Sequence, residues 1–309
     1  MTAASIRLKD ARSKIFLLNY FRNRGLERIA ELKSEIGAQN YRELTQALNK
    51  AAMESLAAWL LALSQAAKSE KWTSAETLDA VLLGTYCSYV AMLENRNEIW
   101  PYEYMAFSRR IGELWEHFVK IPFRFPNSDI RVFVPPLFSK VRADLKEEIR
   151  NYIDALKISV AEKRELLAYY EKVWLLVDSG EISLELDLHV QRGAKKINID
   201  LKSGFGSNEK GNTNRLLMVA TIYKNLHTSY SCVLLVRAKE DQNNHYFKTL
   251  KRSGVWEALC GDEAYARIGK YTGFDLQSWV RKNIDWKLDL SPSTYGHFQK
   301  QELTDYLAW

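Results

Sequence analysis

The first hundred residues repeat apolar side chains every three or four positions, the spacing of one buried helix face. The repeat is carried by Ile15, Leu18, Phe21, Leu26, Ile29, Leu32, Ile36, Leu44, Leu48, Met53, Leu56, Leu60 and Leu63. Thr73-Ser74-Ala75-Glu76 has the spacing of a capping box and predicts a helix start. We therefore expect a helical N-terminal region over residues 1–100 that supports the rest of the molecule or mediates dimerisation.

A break at Trp100-Pro101 separates this region from a further helix, which is predicted from Tyr104 onwards. Prolines then bracket two short strand-like pieces, 123–125 and 130–134. Helical periodicity returns in an insertion at about 137–178, where Gly180 is expected to end the last helix.

Apolar and polar residues alternate on both sides of a short basic turn, over 184–190 and 197–202. A period of two places alternate side chains on opposite faces of a strand, so we predict a β-hairpin. One face is apolar, and the other collects Glu185, Asp187, His189, Asn198, Asp200 and Lys202. Like charges on one face repel each other, and a divalent metal ion is the simplest cation that would relieve the repulsion.

Beyond the hairpin the chain alternates again between predicted helix and strand. In order we expect a loop, a helix, a strand and two helices: 203–215, 216–226, 231–237, 245–259 and 274–284. The order strand, strand, helix, strand is typical of an α/β (α+β) layer, in which the helix is the crossover connection between the second and third strands. Residues 101–309 are accordingly predicted to form the second region of the molecule.

Composition and charge fit an ordinary soluble globular protein, with 47% hydrophobic and 27% charged residues. A chain of 309 residues can bury one large core or two modest ones. Its longest uncharged run, 80–93, is too short to span a bilayer and predicts a buried helix, so we expect no membrane partner. Residues 203–282 hold twelve Lys and Arg against seven Asp and Glu, an excess that suits an anionic partner such as nucleic acid.

The three cysteines are widely separated and form no C-x-x-C pair, so the sequence suggests neither a disulfide framework nor a zinc module. The N-terminal residues lack the apolar core of a secretory signal. Both features favour a reducing cytoplasm.

The polar face of the hairpin contains the groups that phosphodiester hydrolysis requires. Such a reaction needs a metal ion, an activated water and a cation near the reacting oxygens. Asp187 and Asp200 would supply carboxylates, and the backbone carbonyl of Leu201 a third ligand, all oxygen donors of the kind that Mg²⁺ prefers. Lys202 would be the cation beside the water.

Asp187, followed by Asp200-Leu201-Lys202 at the end of a second strand and then Ser203-Gly204, resembles the signature of the PD-(D/E)xK nuclease superfamily. The resemblance covers about residues 104–237. It implies a restriction-endonuclease-like core, with a mixed central sheet flanked by helices. It also implies a metal-dependent cut of DNA in which Asp187, Asp200 and Lys202 are catalytic.

This family's core often opens with a helix from which a further glutamate approaches the metal, and the stretch 110–116 is similar to that helix. It offers Glu113 and Glu116, one turn apart on one side, and Glu113 is favoured as the fourth catalytic residue. The sequence departs from the family pattern at Leu186, where a proline is usual. Glu185 is a rival metal ligand on the same predicted face as Asp187.

The (D/E)-x-K triplet alone is not specific, and only the one ending at Lys202 has the hairpin context. The chain contains three others, Glu31-Leu32-Lys33, Asp144-Leu145-Lys146 and Asp285-Trp286-Lys287. The loop after Lys202 is well placed for phosphates or base edges, whereas His189 is expected to be merely solvated. The predicted DNA-binding residues are Ser207, Asn208, Lys210, Asn212, Asn214 and Arg215.

The sequence and the resemblance together predict a Mg²⁺-dependent endodeoxyribonuclease of the cytoplasm of a prokaryote, most like a type II restriction enzyme. Such enzymes usually act as homodimers on double-stranded DNA, because a two-fold protein matches a palindromic site. The N-terminal helices would then serve in dimerisation or DNA grip. The alternatives are a structure-specific repair or recombination nuclease and an inert DNA-binding protein on the same fold.

Overall fold

Helices surround a single five-stranded sheet in the computed structural model, which makes the protein α+β. The structure describes residues 7–177, 183–206, 209–226 and 229–309. The predicted helix end at Gly180 and the loop residues Ser207 and Asn208 lie outside these ranges. No helix in the described ranges is both long and apolar enough to cross a membrane.

The predicted N-terminal helices are confirmed. They are α1 Leu8–Ala11, α2 Lys14–Ile36, α3 Tyr41–Ser69 and α4 Ser74–Ile99. Thr73 and Glu76 form the predicted capping box, in which the Thr73 side chain accepts from the Glu76 N–H and the Glu76 carboxylate accepts from the Thr73 N–H. Every residue from Ala80 to Leu93 is buried, so α4 is the central helix around which α2 and α3 pack.

The segment that follows α4 contains one short strand and one short helix beside three longer helices. Its elements are α5 Tyr104–Val119, α6 Ile121–Arg124, β1 Arg131–Val132, α7 Phe138–Ala155 and α8 Val160–Val177. The strand predicted at 123–125 was wrong, because Pro122 starts the helical turn α6 and buries Phe123. The strand predicted at 130–134 is confirmed as the two-residue β1.

The predicted hairpin is confirmed, and the sheet continues beyond it. The remaining elements of the sheet layer are β2 Leu188–Arg192, β3 Lys195–Lys202, α9 Lys210–Leu226, β4 Tyr230–Val236, α10 His245–Arg252 and β5 Glu257–Cys260. Strand order is β1-β2-β3-β4-β5. β2 is antiparallel to both of its neighbours, β1 and β3, whereas β3, β4 and β5 run parallel. Two sequence predictions need correction: 184–187 is not strand, and the helix predicted over 245–259 ends at Arg252.

The C-terminal part is helical. It comprises α11 Asp262–Thr272, α12 Leu276–Asn283, α13 Trp286–Asp289 and α14 Pro292–Lys300, followed by a 3₁₀ turn at Thr304–Leu307.

Both faces of the sheet are covered by helices. Successive side chains of a central strand therefore point alternately into two hydrophobic clusters, one on each face. Ile199, Leu201 and Val233 join a large cluster that includes α4, α5, α11 and α12. Leu234 and Val236 face the opposite way, into a second cluster with α9 and α10. Burying both faces of the central strands is the usual arrangement for parallel strands.

The large cluster crosses the boundary predicted at residue 100 without interruption. The N-terminal helices also make polar contacts with the C-terminal part of the chain. Lys14 Nζ lies 2.8 Å from Asp289 Oδ2, and the Arg22 guanidinium donates both to Glu94 and to the Asp289 carbonyl. The helical region and the sheet region therefore share one continuous hydrophobic core.

Candidate functional site

The turn of the hairpin places Asp187 beside the carboxyl end of β3. Gly193 has φ +58°, a left-handed conformation that glycine adopts without steric cost, and it reverses the chain within two residues. The resulting register pairs Leu188 with Ile199 and His189 with Asn198. Asp187, one residue before β2, therefore lies next to the last residues of β3.

The predicted catalytic residues Asp187, Asp200 and Lys202 are in contact. Lys202 Nζ lies 2.6 Å from Asp200 Oδ1 and 3.8 Å from Asp187 Oδ2. Asp187 Oδ2 also accepts a hydrogen bond of 2.9 Å from the N–H of Leu201. Asp200 is only 1% exposed, so its carboxylate is held in a site from which bulk water is largely excluded.

A second lysine, which the sequence analysis missed, reaches the carboxylate of Asp187. Lys120 stands between α5 and α6, and its Nζ lies 2.9 Å from Asp187 Oδ1. The sequence does contain a signal for Lys120, which is its spacing of four residues from Glu116, because residues four apart on a helix share a face.

Glu116, rather than the favoured Glu113, is the glutamate of α5 that approaches the site. Glu113 pairs with Arg109 and Arg110 at 3.0 and 2.8 Å, on a part-exposed side of the helix. Glu116 interacts electrostatically with Asp187 and Asp200. The helix passes close to the end of β3, since a Cβ added to Gly112 would lie 3.0 Å from that of Ser203.

Burial and neighbouring charges raise the pKa of Asp200 and Glu116, whereas the pKa of Asp187 is lowered. Burial and the charge of Asp187 raise the pKa of Asp200. Burial opposes ionisation of Asp187 too, but the ammonium groups of Lys120 and Lys202 and the Leu201 N–H lower its pKa. Burial, together with the charges of Asp187 and Asp200, raises the pKa of Glu116 to about 7.

His189 is buried, 4% exposed, which corrects the expectation that it is solvated. Its Nε2 accepts from the Leu186 N–H at 2.9 Å, so the proton is on Nδ1, which donates to Asn198 Oδ1 at 2.8 Å. Burial lowers the pKa of His189, in keeping with this neutral form. The histidine thus ties the residue before Asp187 to the strand that carries Asp200.

Glu185, the rival ligand, is exposed, and its N–H donates to the Ser183 hydroxyl. The contacts with Leu201, Lys120 and Lys202 are made by Asp187 instead. This geometry favours Asp187 over Glu185 as the first carboxylate of the site.

The chain matches no protein-family model, no curated protein sequence and no solved structure. The fold and the site are therefore interpreted from their own geometry.

Oxygen donors suited to a hard divalent cation lie at the end of β3: the carboxylates of Asp187 and Asp200 and the carbonyl of Leu201. Glu116 is near enough to interact electrostatically with both aspartates. Their chemistry fits Mg²⁺. In the described ranges, however, no three His, Cys, Asp or Glu side chains are arranged closely enough to hold a metal ion. The space between the carboxylates is instead shared with lysine ammonium groups.

The predicted DNA-binding loop is partly helical, because α9 begins at Lys210 rather than at residue 216. Lys210 and Asn214 are exposed on its first turns, while Asn212 donates to Glu209. Arg215 turns towards the site, with its Nη2 3.6 Å from Asp200 Oδ2.

The three other (D/E)-x-K triplets lie away from the sheet. Those at Glu31 and Asp144 are within α2 and α7, and Asp285 caps α13 through the N–H groups of Lys287 and Leu288. The triplet at Asp200 differs from them in lying on the sheet, where Lys202 contacts Asp187 as well as Asp200.

Proposed function

We propose that the protein is a Mg²⁺-dependent endodeoxyribonuclease that hydrolyses phosphodiester bonds of double-stranded DNA at a specific sequence, as a type II restriction enzyme does. The observation that carries this proposal is the contact of Asp187, Asp200 and Lys202 at the end of β3, with Glu116 and Lys120 beside them. A mixed sheet covered by helices on both faces supports a restriction-endonuclease-like core for this site.

Each residue then has a distinct part in the chemistry. Asp187, Asp200 and the Leu201 carbonyl would hold Mg²⁺. Glu116 of α5 would be the further glutamate that approaches the metal ion from the helix that opens the core. The bound ion supplies Lewis-acid stabilisation of a phosphoryl oxygen. Lys202 Nζ, fixed by Asp200, orients a water or stabilises the negative charge that develops on the phosphate.

DNA would approach along the start of α9, where Lys210 and Asn214 are exposed. Positive side chains there bind phosphates, and amides read base edges. We propose a homodimer on a palindromic site, with the N-terminal helices in dimerisation or DNA grip. The buried cysteines Cys87, Cys232 and Cys260 form no disulfide, which suits the reducing cytoplasm of a prokaryote.

The test is incubation of the purified protein with supercoiled plasmid in Mg²⁺, with the chelator EDTA as control. The proposal predicts discrete fragments whose sequenced ends share one site and which are absent in EDTA. Cleavage confined to branched or single-stranded DNA would instead establish a structure-specific repair or recombination nuclease.

An inert DNA-binding protein on this fold is the second candidate, and one contact favours it. The Asp187 carboxylate is already paired with an ammonium group, that of Lys120. DNA binding in a gel-shift assay without cleavage in Mg²⁺ or Mn²⁺ would establish this candidate and refute the nuclease.

A further inference from the structure

The oxygen donors proposed for Mg²⁺ are already engaged by groups of the protein itself. Lys120 Nζ contacts Asp187 Oδ1, and the Leu201 N–H donates to the other oxygen of the same carboxylate. Lys202 Nζ contacts Asp200 Oδ1 and donates to the Leu201 carbonyl at 3.1 Å. Lys202 belongs to the family signature, whereas Lys120 does not.

Lys120 is held in position by its chain neighbours. Val119 and Ile121, on either side of it, are buried in the large core, and Pro122 fixes the start of α6. The backbone at Lys120 is therefore anchored, and its side chain is directed at Asp187 with only 20% exposure. An ion pair in such a part-buried place is stronger than one in open solvent.

Charges in the cluster are balanced without a metal ion. The carboxylates of Asp187 and Asp200 face three cations, Lys120, Lys202 and Arg215. Glu116 adds at most one further negative charge when it is ionised. Adding a divalent cation would leave an excess of positive charge in a site with little access to water, which is unfavourable. If the Lys120 ammonium group moved away from Asp187, part of this excess positive charge would leave the site.

We propose that Lys120 is a functional residue of this site, which competes with the divalent cation for Asp187 and so sets the affinity for that cation. The proposal rests on the function proposed above. Cation binding at Asp187 requires Lys120 Nζ to leave Oδ1. The released ammonium group then stands beside the site and is available to a phosphate oxygen of the DNA.

The first test measures Mg²⁺ binding to the full chain by titration calorimetry without DNA. Lys120→Met should bind Mg²⁺ more tightly than wild type, on the order of tenfold, and Asp187→Asn in the same background should abolish the gain. Lys140→Met is the matched control, since Lys140 forms an exposed pair with Asp144 at 3.2 Å and should change nothing.

A second measurement uses the wild-type protein and does not depend on the folding of a variant. Acetylation of lysine side chains, followed by mass spectrometry, should label Lys120 faster in Mg²⁺ than in EDTA, while Lys140 is labelled equally in both. Equal Mg²⁺ affinity of Lys120→Met and wild type, or Lys120 labelling that Mg²⁺ does not alter, would overturn the proposal.

The two proposals fail separately. Plasmid cleavage by wild type with an unchanged Mg²⁺ affinity in Lys120→Met would retain the nuclease and refute the competition. Tighter binding in Lys120→Met with no cleavage of any DNA would retain the competition and refute the nuclease.

Discussion

Glu116 is a side chain of the site whose protonation is strongly altered by its surroundings. Its pKa is raised from an ordinary 4.5 to about 7 by burial and by the charges of Asp187 and Asp200. Between these two values the folded protein holds a proton that the unfolded chain has lost. Stability should therefore fall as pH rises through this window.

Replacing the carboxyl group of Glu116 by an amide tests this account. Wild type in EDTA should lose roughly 1 kcal/mol or more of unfolding free energy between pH 5 and pH 8, since one pKa unit is worth about 1.4 kcal/mol. Glu116→Gln should flatten that slope in urea unfolding, while Glu113→Gln, at the arginine-paired position, keeps it. An unchanged slope in Glu116→Gln would contradict the electrostatic assignment.

At the scale of elements, the ends of β3 and β4 are braced by the last turn of the chain. The Arg237 guanidinium donates to the Ser203 hydroxyl, at 2.8 and 3.2 Å, and to the carbonyls of Tyr306 and Ala308. Burial lowers the pKa of Arg237 to about 10. Ser203 directly follows Lys202, so this brace fixes the strand end that carries the proposed catalytic residues Asp200 and Lys202.

Removal of this brace should be costly. Arg237→Ala removes a part-buried guanidinium and all four of its hydrogen bonds, which leaves the part-buried Ser203 hydroxyl and Tyr306 carbonyl without this partner, and should destabilise the protein by about 2 kcal/mol in urea unfolding. Arg281→Ala, which removes an exposed arginine 3.7 Å from Asp262, should change stability by less than about 0.5 kcal/mol. Equal effects of the two variants would show that Arg237 is not a brace.

What the sequence predicted well was local. The alternation around Gly193 and the capping box at Thr73 depend only on neighbours in the chain, and both the hairpin and α4 are present. β5, by contrast, is four residues long, too short for a period of two to stand out from the helical pattern around it.

The parts of the site that the sequence missed depend on contacts between distant elements. Lys120 and Glu116 reach Asp187 because α5 packs closely against the end of β3 at Gly112. His189 appeared solvated because its strand pattern does not show that α9 covers that face, where Tyr223 lies beside it. These contacts depend on how distant elements pack together, and a local sequence pattern carries no information about that packing.

At the scale of the whole molecule, one core joins the N-terminal helices to the sheet, and the site lies where α5 crosses from one to the other. At this site we assign a chemical role to Lys202. The chain offers a matched lysine for comparison, Lys146 of the triplet Asp144-Leu145-Lys146, which lies in α7 and pairs with Glu171 at 3.0 Å.

The most direct test is the rate of plasmid cleavage in Mg²⁺ by Lys202→Ala and Lys146→Ala, with DNA affinity measured in parallel. We predict that Lys202→Ala is slower than wild type by about 100-fold or more, because it removes a group that stabilises transition-state charge, while its DNA affinity is kept. Lys146→Ala should cleave like wild type. Cleavage by Lys202→Ala at the wild-type rate would contradict the account.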